Sequence, residues 1–223
     1  MEINCKRLEP KSKITKSIVI FMHGYGADGA DLLSIGNVLS DQFPETLFLA
    51  PDAPTRCQMS PFGFQWFPIP EMDGSSEDTA MIELDRISRI TNQWIDSVVL
   101  KEKVSDSNVF LFGFSQGTML SLYVGPQRKE TIGGIIGFSG KVINFNNLKE
   151  KINSRPPVLL IHGDEDQVVR PSYLDEAFKD LSSLNFNVKK YMSAGVGHGI
   201  SSDGLSQASN FLLKYIGENH VLT

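Results

Sequence analysis

Gly113-Phe114-Ser115-Gln116-Gly117 has the spacing Gly-x-Ser-x-Gly. That spacing suits a strand-to-helix turn tight enough to hold a serine in a strained conformation, which requires small flanking residues. The pattern is short, so its setting decides whether it means anything. Here an apolar run, Asn108 to Phe112, leads directly into it, and a helix-compatible run, Gln116 to Val124, leads out. A serine hydroxyl becomes a nucleophile at neutral pH only with a base beside it. The chain has four histidines. On elbows of this kind an acid and then a histidine follow the serine in chain order. His23 precedes Ser115, and His162 comes before the acids that follow it. His220 lies close to the C-terminus, where anchoring is poor. His198 remains, in Gly195-Val196-Gly197-His198-Gly199, and is the expected base.

The acid is expected just after Val158-Leu159-Leu160-Ile161, in His162-Gly163-Asp164-Glu165-Asp166. A carboxylate that orients an imidazole must point inward and be held by surrounding backbone. Asp166 is favoured, because Val168 and Val169 can pack and fix its loop. Asp164 stays open as the alternative, with capping of the turn as its competing role. Glu165 is expected to face solvent. An oxyanion hole needs two backbone donors. The residue after the nucleophile, Gln116, supplies one. The loop His23-Gly24-Tyr25-Gly26 supplies the other, with Tyr25 as the expected donor. An ordinary glycine turn is the competing reading of that loop.

These residues need a scaffold, and the sequence alternates short apolar runs with longer amphipathic ones, as in an α/β sheet. Strands are expected at Ser17 to Met22, Thr46 to Ala50, Asn108 to Phe112, Ile132 to Phe138, Val158 to Ile161 and Phe186 to Met192. Helices are expected at about Glu77 to Val99, Gln116 to Val124, Ser172 to Leu184 and Asp203 to Ile216. In the first, Leu84, Ile87, Trp94, Ile95 and Val98 share a face. No repeat or linker divides the chain, so one domain over 1–223 is expected. About 25 residues between Pro51 and Ser76 show no clear period, and a connection of that length is usually functional or hides an element. The basic residues Lys6, Arg7, Lys11, Lys13 and Lys16, diluted by Glu2 and Glu9, read as a solvated strand edge.

The chain has 223 residues, 41% hydrophobic and 21% charged, with a net charge of −5. This composition suits a folded soluble chain and gives no electrostatic reason to bind nucleic acid or an anionic membrane. Two cysteines, Cys5 and Cys57, without a Cys-x-x-Cys pair, define neither a disulfide framework nor a zinc site. No apolar run approaches the ~18 residues of a membrane span, and the N-terminus lacks a signal-like apolar core. A cytoplasmic protein is expected, without stable membrane insertion, metal or cofactor. The sequence is silent on oligomeric state.

Taken in order, His-Gly-Tyr-Gly-Ala-Asp-Gly, Gly-Phe-Ser-Gln-Gly, His-Gly-Asp-Glu-Asp-Gln-Val-Val and Gly-x-Gly-His-Gly resemble the phospholipase/carboxylesterase family of α/β-hydrolases. That group includes acyl-protein thioesterases and small bacterial carboxylesterases. Pro51-Asp52-Ala53-Pro54 and Gln65-Trp66-Phe67 resemble family segments too, and the likeness runs from about Ser17 to Ile216. The resemblance implies an α/β-hydrolase fold, with a mostly parallel central sheet and helices on both faces. It implies hydrolysis of carboxylic esters or thioesters, on a small-molecule or acyl-chain substrate, through an acyl-enzyme. It matches Ser115 to the nucleophile, Asp166 rather than Asp164 to the acid, and His198 to the base. Tyr25 stands where thioesterase members more often carry Leu. The aromatic stretch Met59 to Ile69 corresponds to a loop lining an acyl groove, with Trp66 and Phe67 as the expected lining residues; simple packing at the edge of the core is the alternative. The competing functions are a non-catalytic scaffold that binds a hydrophobic ligand or partner, and a peptidase or lactonase using the same triad.

Overall fold

The computed structural model describes residues 3–57 and 59–221, with side chains through Gly217. Its elements, in chain order, are β1 (Cys5–Leu8), β2 (Ser17–Met22), α1 (Gly29–Leu39), β3 (Thr46–Pro51), β4 (Thr55–Arg56), β5 (Phe64–Gln65), α2 (Pro70–Asp73), α3 (Glu77–Glu102), β6 (Val109–Phe114), α4 (Gln116–Val124), β7 (Gly134–Phe138), α5 (Phe145–Lys151), β8 (Val158–Gly163), α6 (Ser172–Ser183), β9 (Val188–Ser193) and α7 (Ser202–Val221). Among the described residues, seven strands form one sheet in the order β1-β3-β2-β6-β7-β8-β9. Only β1 is antiparallel, against β3 at the edge. The others run parallel. This is the mostly parallel α/β-hydrolase sheet that the motifs implied.

The parallel strands read as continuous apolar runs because both faces are covered. Successive side chains point to opposite faces. Ile18, Ile20 and Met22 of β2 join the core under α3, α4, α5 and α6. Val19 and Phe21 join the core under α1 and α7. α3 shows how sequence becomes packing. Ser76 caps it by accepting the Thr79 amide at 3.1 Å, and Lys103 ends it in a left-handed turn. Leu84, Ile87 and Ile95 are fully buried, each stabilising the fold by about 1.5–3 kcal/mol. Trp94, expected on the same face, lies half-buried at its margin.

The edge strand β1 carries Lys6 and Arg7, and both are paired locally. Lys6 pairs with Asp52 at 2.8 Å, and Arg7 with Glu9 and Glu102. Three elements depart from expectation. α1 was not foreseen, because its two glycines and weak amphipathic pattern hide the helix; Asp28, accepting the Ala30 and Asp31 amides, is the cap that starts it. α5 is also additional, short and holding one buried residue, Leu148. The connection between Pro51 and Ser76 is not structureless: it holds the hairpin β4–β5 and the short helix α2.

Register sets the site. Met22 pairs with Gly113, Phe114 with Phe138, and Gly163 with Ser193. The loops that leave β2, β6, β7, β8 and β9 therefore gather at one edge of the sheet, outside the C-terminal strand ends. Open α/β sheets place their ligands there.

Candidate active site

Ser115 stands between β6 and α4 with φ 53° and ψ −116°. A non-glycine residue rarely adopts this backbone, and such strain persists only where neighbours enforce it. The enforcement is visible. The Ser115 amide donates to the Phe138 carbonyl at 2.9 Å, and the Thr118 hydroxyl donates to the same oxygen at 2.7 Å. A Cβ on Gly113 would stand 2.5 Å from the Thr118 backbone, and one on Gly117 would overlap the Met22 carbonyl. The two glycines of the motif are thus required by close approach between strand, helix and the neighbouring strand.

The loop that carries Asp166 follows β8. The Asp166 side chain is fully buried. Its Oδ1 accepts the amides of Val168 and Val169, each at 2.9 Å. Its Oδ2 meets His198 Nδ1 at 2.8 Å. Burial by itself raises this carboxyl; the bonds from His198 and from the two amides outweigh it and hold Asp166 below its ordinary value. Asp164 takes the other part. It is exposed, and its Oδ1 accepts the Gly195 amide at 2.6 Å, tying down the loop that carries His198. Glu165 faces solvent, as expected. Of the two valines only Val169 is buried; Val168 is 67% exposed and contributes its amide.

His198 lies between β9 and α7, its ring 4.8 Å from that of Phe114. With Nδ1–H given to Asp166, the neutral ring keeps an acceptor at Nε2. The other histidines are engaged elsewhere. His23 is fully buried. Its Nδ1–H donates to the Gly24 carbonyl at 2.8 Å and its Nε2 accepts the Ala53 amide at 3.0 Å. Burial holds it below the ordinary histidine value. His162 was passed over in the sequence, yet it belongs to the site's surroundings. Its Nε2 lies 2.8 Å from the Val169 carbonyl and 3.3 Å from Asp166 Oδ2, and burial holds it, too, below the ordinary histidine value. The side chain of His220 is outside the described residues.

The loop after β2 borders Ser115. A Cβ on Gly24 would stand 3.4 Å from Ser115 Cβ. Tyr25 lines the same cleft as Ser115 and His198. Gln116 opens α4, where a backbone N–H has no partner within the helix. Its side chain does something the sequence did not signal: Oε1 accepts the Trp66 amide at 3.0 Å and Nε2 donates to the Phe67 carbonyl at 2.7 Å. The two expected lining residues therefore separate. Phe67 borders the cleft. Trp66 does not: it is 1% exposed, its indole N–H donates to the His23 carbonyl at 2.9 Å, and its ring lies 5.1 Å from the imidazole of His23. The chain bends just after β5, so that Phe67 faces the cleft and Trp66 anchors the segment.

The cleft measures about 470 Å³, and Phe67, Ile69, Met81, Leu84, Met119 and Ile143 are among its apolar lining. A larger cleft of about 880 Å³ lies between β1 and α3 and contains none of these polar groups, so size does not locate the chemistry. Among the described residues no group of three or more His, Cys, Asp or Glu could hold a metal ion.

Comparison with known proteins identifies the family of the chain. Residues 3–216 match the phospholipase/carboxylesterase family. An acyl-protein thioesterase 1 homolog from Dictyostelium discoideum is 31% identical over 203 residues, spanning 88% of this chain and 89% of its own. Acyl-protein thioesterase 1 of Saccharomyces cerevisiae is 28% identical, spanning 95% and 98%. The crystal structure of esterase PE8 superposes with a TM-score of 0.91 at 35% identity, covering 96% of this chain and 100% of that one. The chain belongs to the phospholipase/carboxylesterase family of α/β-hydrolases and is a hydrolase of the carboxylesterase/thioesterase type.

Proposed function

We propose that Ser115, His198 and Asp166 form a catalytic triad that cleaves carboxylic esters or thioesters through an acyl-enzyme. The observation that carries this reading is the 2.8 Å bond from His198 to a buried, backbone-held Asp166, in a cleft shared with a strained serine. His198 Nε2 takes the Ser115 proton as the oxygen attacks the acyl carbonyl. Asp166 holds the ring in the tautomer that leaves Nε2 free, and stabilises the imidazolium that forms. The amides of Tyr25 and Gln116 receive the developing oxyanion; one such donor is typically worth ~10²–10³ in rate. The imidazolium then gives its proton to the leaving alkoxide or thiolate. Water, deprotonated by His198, attacks the acyl-serine and releases the acid.

The apolar lining of the cleft suits an acyl chain, with Phe67 on its wall and Trp66 in the supporting layer behind it. Excluding water there strengthens each polar interaction on the reacting carbonyl. Among the described residues no helix is long and apolar enough to cross a membrane, and the reading assigns the activity to the cytoplasm. A fluorophosphonate probe tests the proposal, because it labels only an activated serine. One adduct is expected, on the peptide containing Ser115, and His198→Ala is expected to abolish it. A folded protein that resists the probe fits a non-catalytic scaffold instead, and comparison of ester, amide and lactone turnover separates esterase from peptidase or lactonase.

A further inference from the structure

The candidate cleft is electrically divided. Asp31, Glu71 and Glu77 line it from segments that follow β2 and β5. Lys141 and Arg170 line it from the loops that follow β7 and β8. Both cations sit over one ring: Lys141 Nζ is 5.1 Å from the Tyr173 centroid and the Arg170 guanidinium carbon is 5.9 Å from it. Tyr173 lines the cleft as well. Elsewhere in this net-acidic chain, cations such as Lys6, Arg7, Lys151 and Lys190 face carboxylates. Among the described residues neither Lys141 nor Arg170 has one within ion-pair distance. The ring quadrupole attracts both cations and keeps them beside the cleft, but it leaves their charge uncompensated. An incoming anion would compensate it.

The position of the pair is fixed by the same loops that build the site. Arg170 follows Val169, whose amide holds Asp166. Lys141 follows Gly140, where a side chain would collide with Thr118 at the elbow. The pair is therefore tied to the reacting groups through short, packed stretches of backbone rather than through a free surface loop.

We infer that Lys141 and Arg170, backed by Tyr173, form an anion subsite, so that the preferred substrates are esters carrying a carboxylate or phosphate group. This rests on the ester-cleaving reading above and narrows its substrate class. Arg offers a planar fork for two oxygens and Lys a point charge, a combination that suits either anion.

The test compares kcat/KM for four esters at low salt: phenyl octanoate, the octanoate esters of 3-hydroxybenzoate and of a hydroxyphenyl phosphate, and the monophenyl ester of octanedioate. They place no charge, a carboxylate or phosphate on the leaving group, or a carboxylate on the acyl end. At least one charged ester is expected to exceed the neutral one by about tenfold, as charge-assisted contacts of this kind provide. That ratio is expected to fall towards one in the Lys141→Met/Arg170→Met protein, and to shrink as salt screens the pair. Which charged ester leads identifies the anion and the side of the scissile bond. Turnover without any charge preference, or a preference that persists in the folded double variant, overturns the subsite and leaves the ester-cleaving reading standing. Failure of the native enzyme to cleave any of the four overturns both.

Discussion

The elbow at Ser115 and the segment from Pro51 to Ile69 lie side by side, yet they are built by different means. The elbow is fixed within a few residues of chain. Two glycines let strand and helix close on each other, and one carbonyl, that of Phe138, takes both the Ser115 amide and the Thr118 hydroxyl. The segment has little regular structure of its own. It is held by tertiary bonds, among them two to the Gln116 side chain, one to the His23 carbonyl, the Ala53 amide on His23 Nε2, and a two-bond bridge from Phe64 to Gly26 and Ala27. Reactive geometry here comes from local steric closure, and the wall of the cleft from a few tertiary hydrogen bonds. The first should fail abruptly when a single atom is added, and the second should yield by degrees.

The largest effect is expected at Gly117. The added methyl of Gly117→Ala meets the Met22 carbonyl, a backbone atom that cannot swing aside. Chemical denaturation should show a loss of about 3 kcal/mol or more. A variant as stable as the parent would mean that the elbow is not sterically closed. Trp66→Phe probes the segment. It removes the indole N–H from the buried His23 carbonyl and shrinks a fully buried side chain, at an expected cost of about 1–3 kcal/mol. The preference for acyl length should stay as it was. Unchanged stability with an altered chain-length profile would instead put Trp66 on the cleft wall.

The smallest effect is a pH dependence of the junction between the two regions. His23 uses both ring nitrogens, one as donor and one as acceptor, so protonation forces Nε2 to face the Ala53 amide with a hydrogen of its own. Burial lowers the pKa of His23 and of His162 in the folded state. The unfolded chain then binds more protons just below the ordinary histidine value of about 6.5, and stability is lost as pH falls through that value. Thermal melts between pH 7.5 and 5.5 should show a declining Tm. A flat profile would contradict the assignment of both rings as buried and neutral.

The same contrast explains what was legible in the sequence. The elbow could be read because its requirements are local: an apolar strand, small residues at fixed spacing and a helix. α3 could be read because its period extends over many turns. His198 as the expected base follows from chain order. The choice of Asp166 over Asp164 turns on a contact to a residue far along the chain; the local sequence favours Asp166 but leaves Asp164 open, and the family resemblance singles out Asp166. Asp164 does cap, as its alternative role suggested, but on the loop of His198 rather than on its own turn. The segment from 51 to 76 was opaque for the converse reason. Its apolar residues gave no period, so the sequence could not say that Trp66 turns inward while Phe67 faces the cleft. Nothing local marks the Gln116 side chain as their tether, or His162 as a neighbour of the acid. Lys141 comes from the loop after β7, Arg170 and Tyr173 from the stretch that leads from β8 into α6, and only the fold brings the two together.

The central claim is that Ser115 is the nucleophile, and replacing its hydroxyl tests it most directly. Ser115→Ala should keep the circular dichroism and Tm of the parent while hydrolysis of a 4-nitrophenyl ester falls by roughly 10⁴-fold or more. Turnover within a few-fold of the parent, by a protein shown to be the pure and folded variant, would contradict the account.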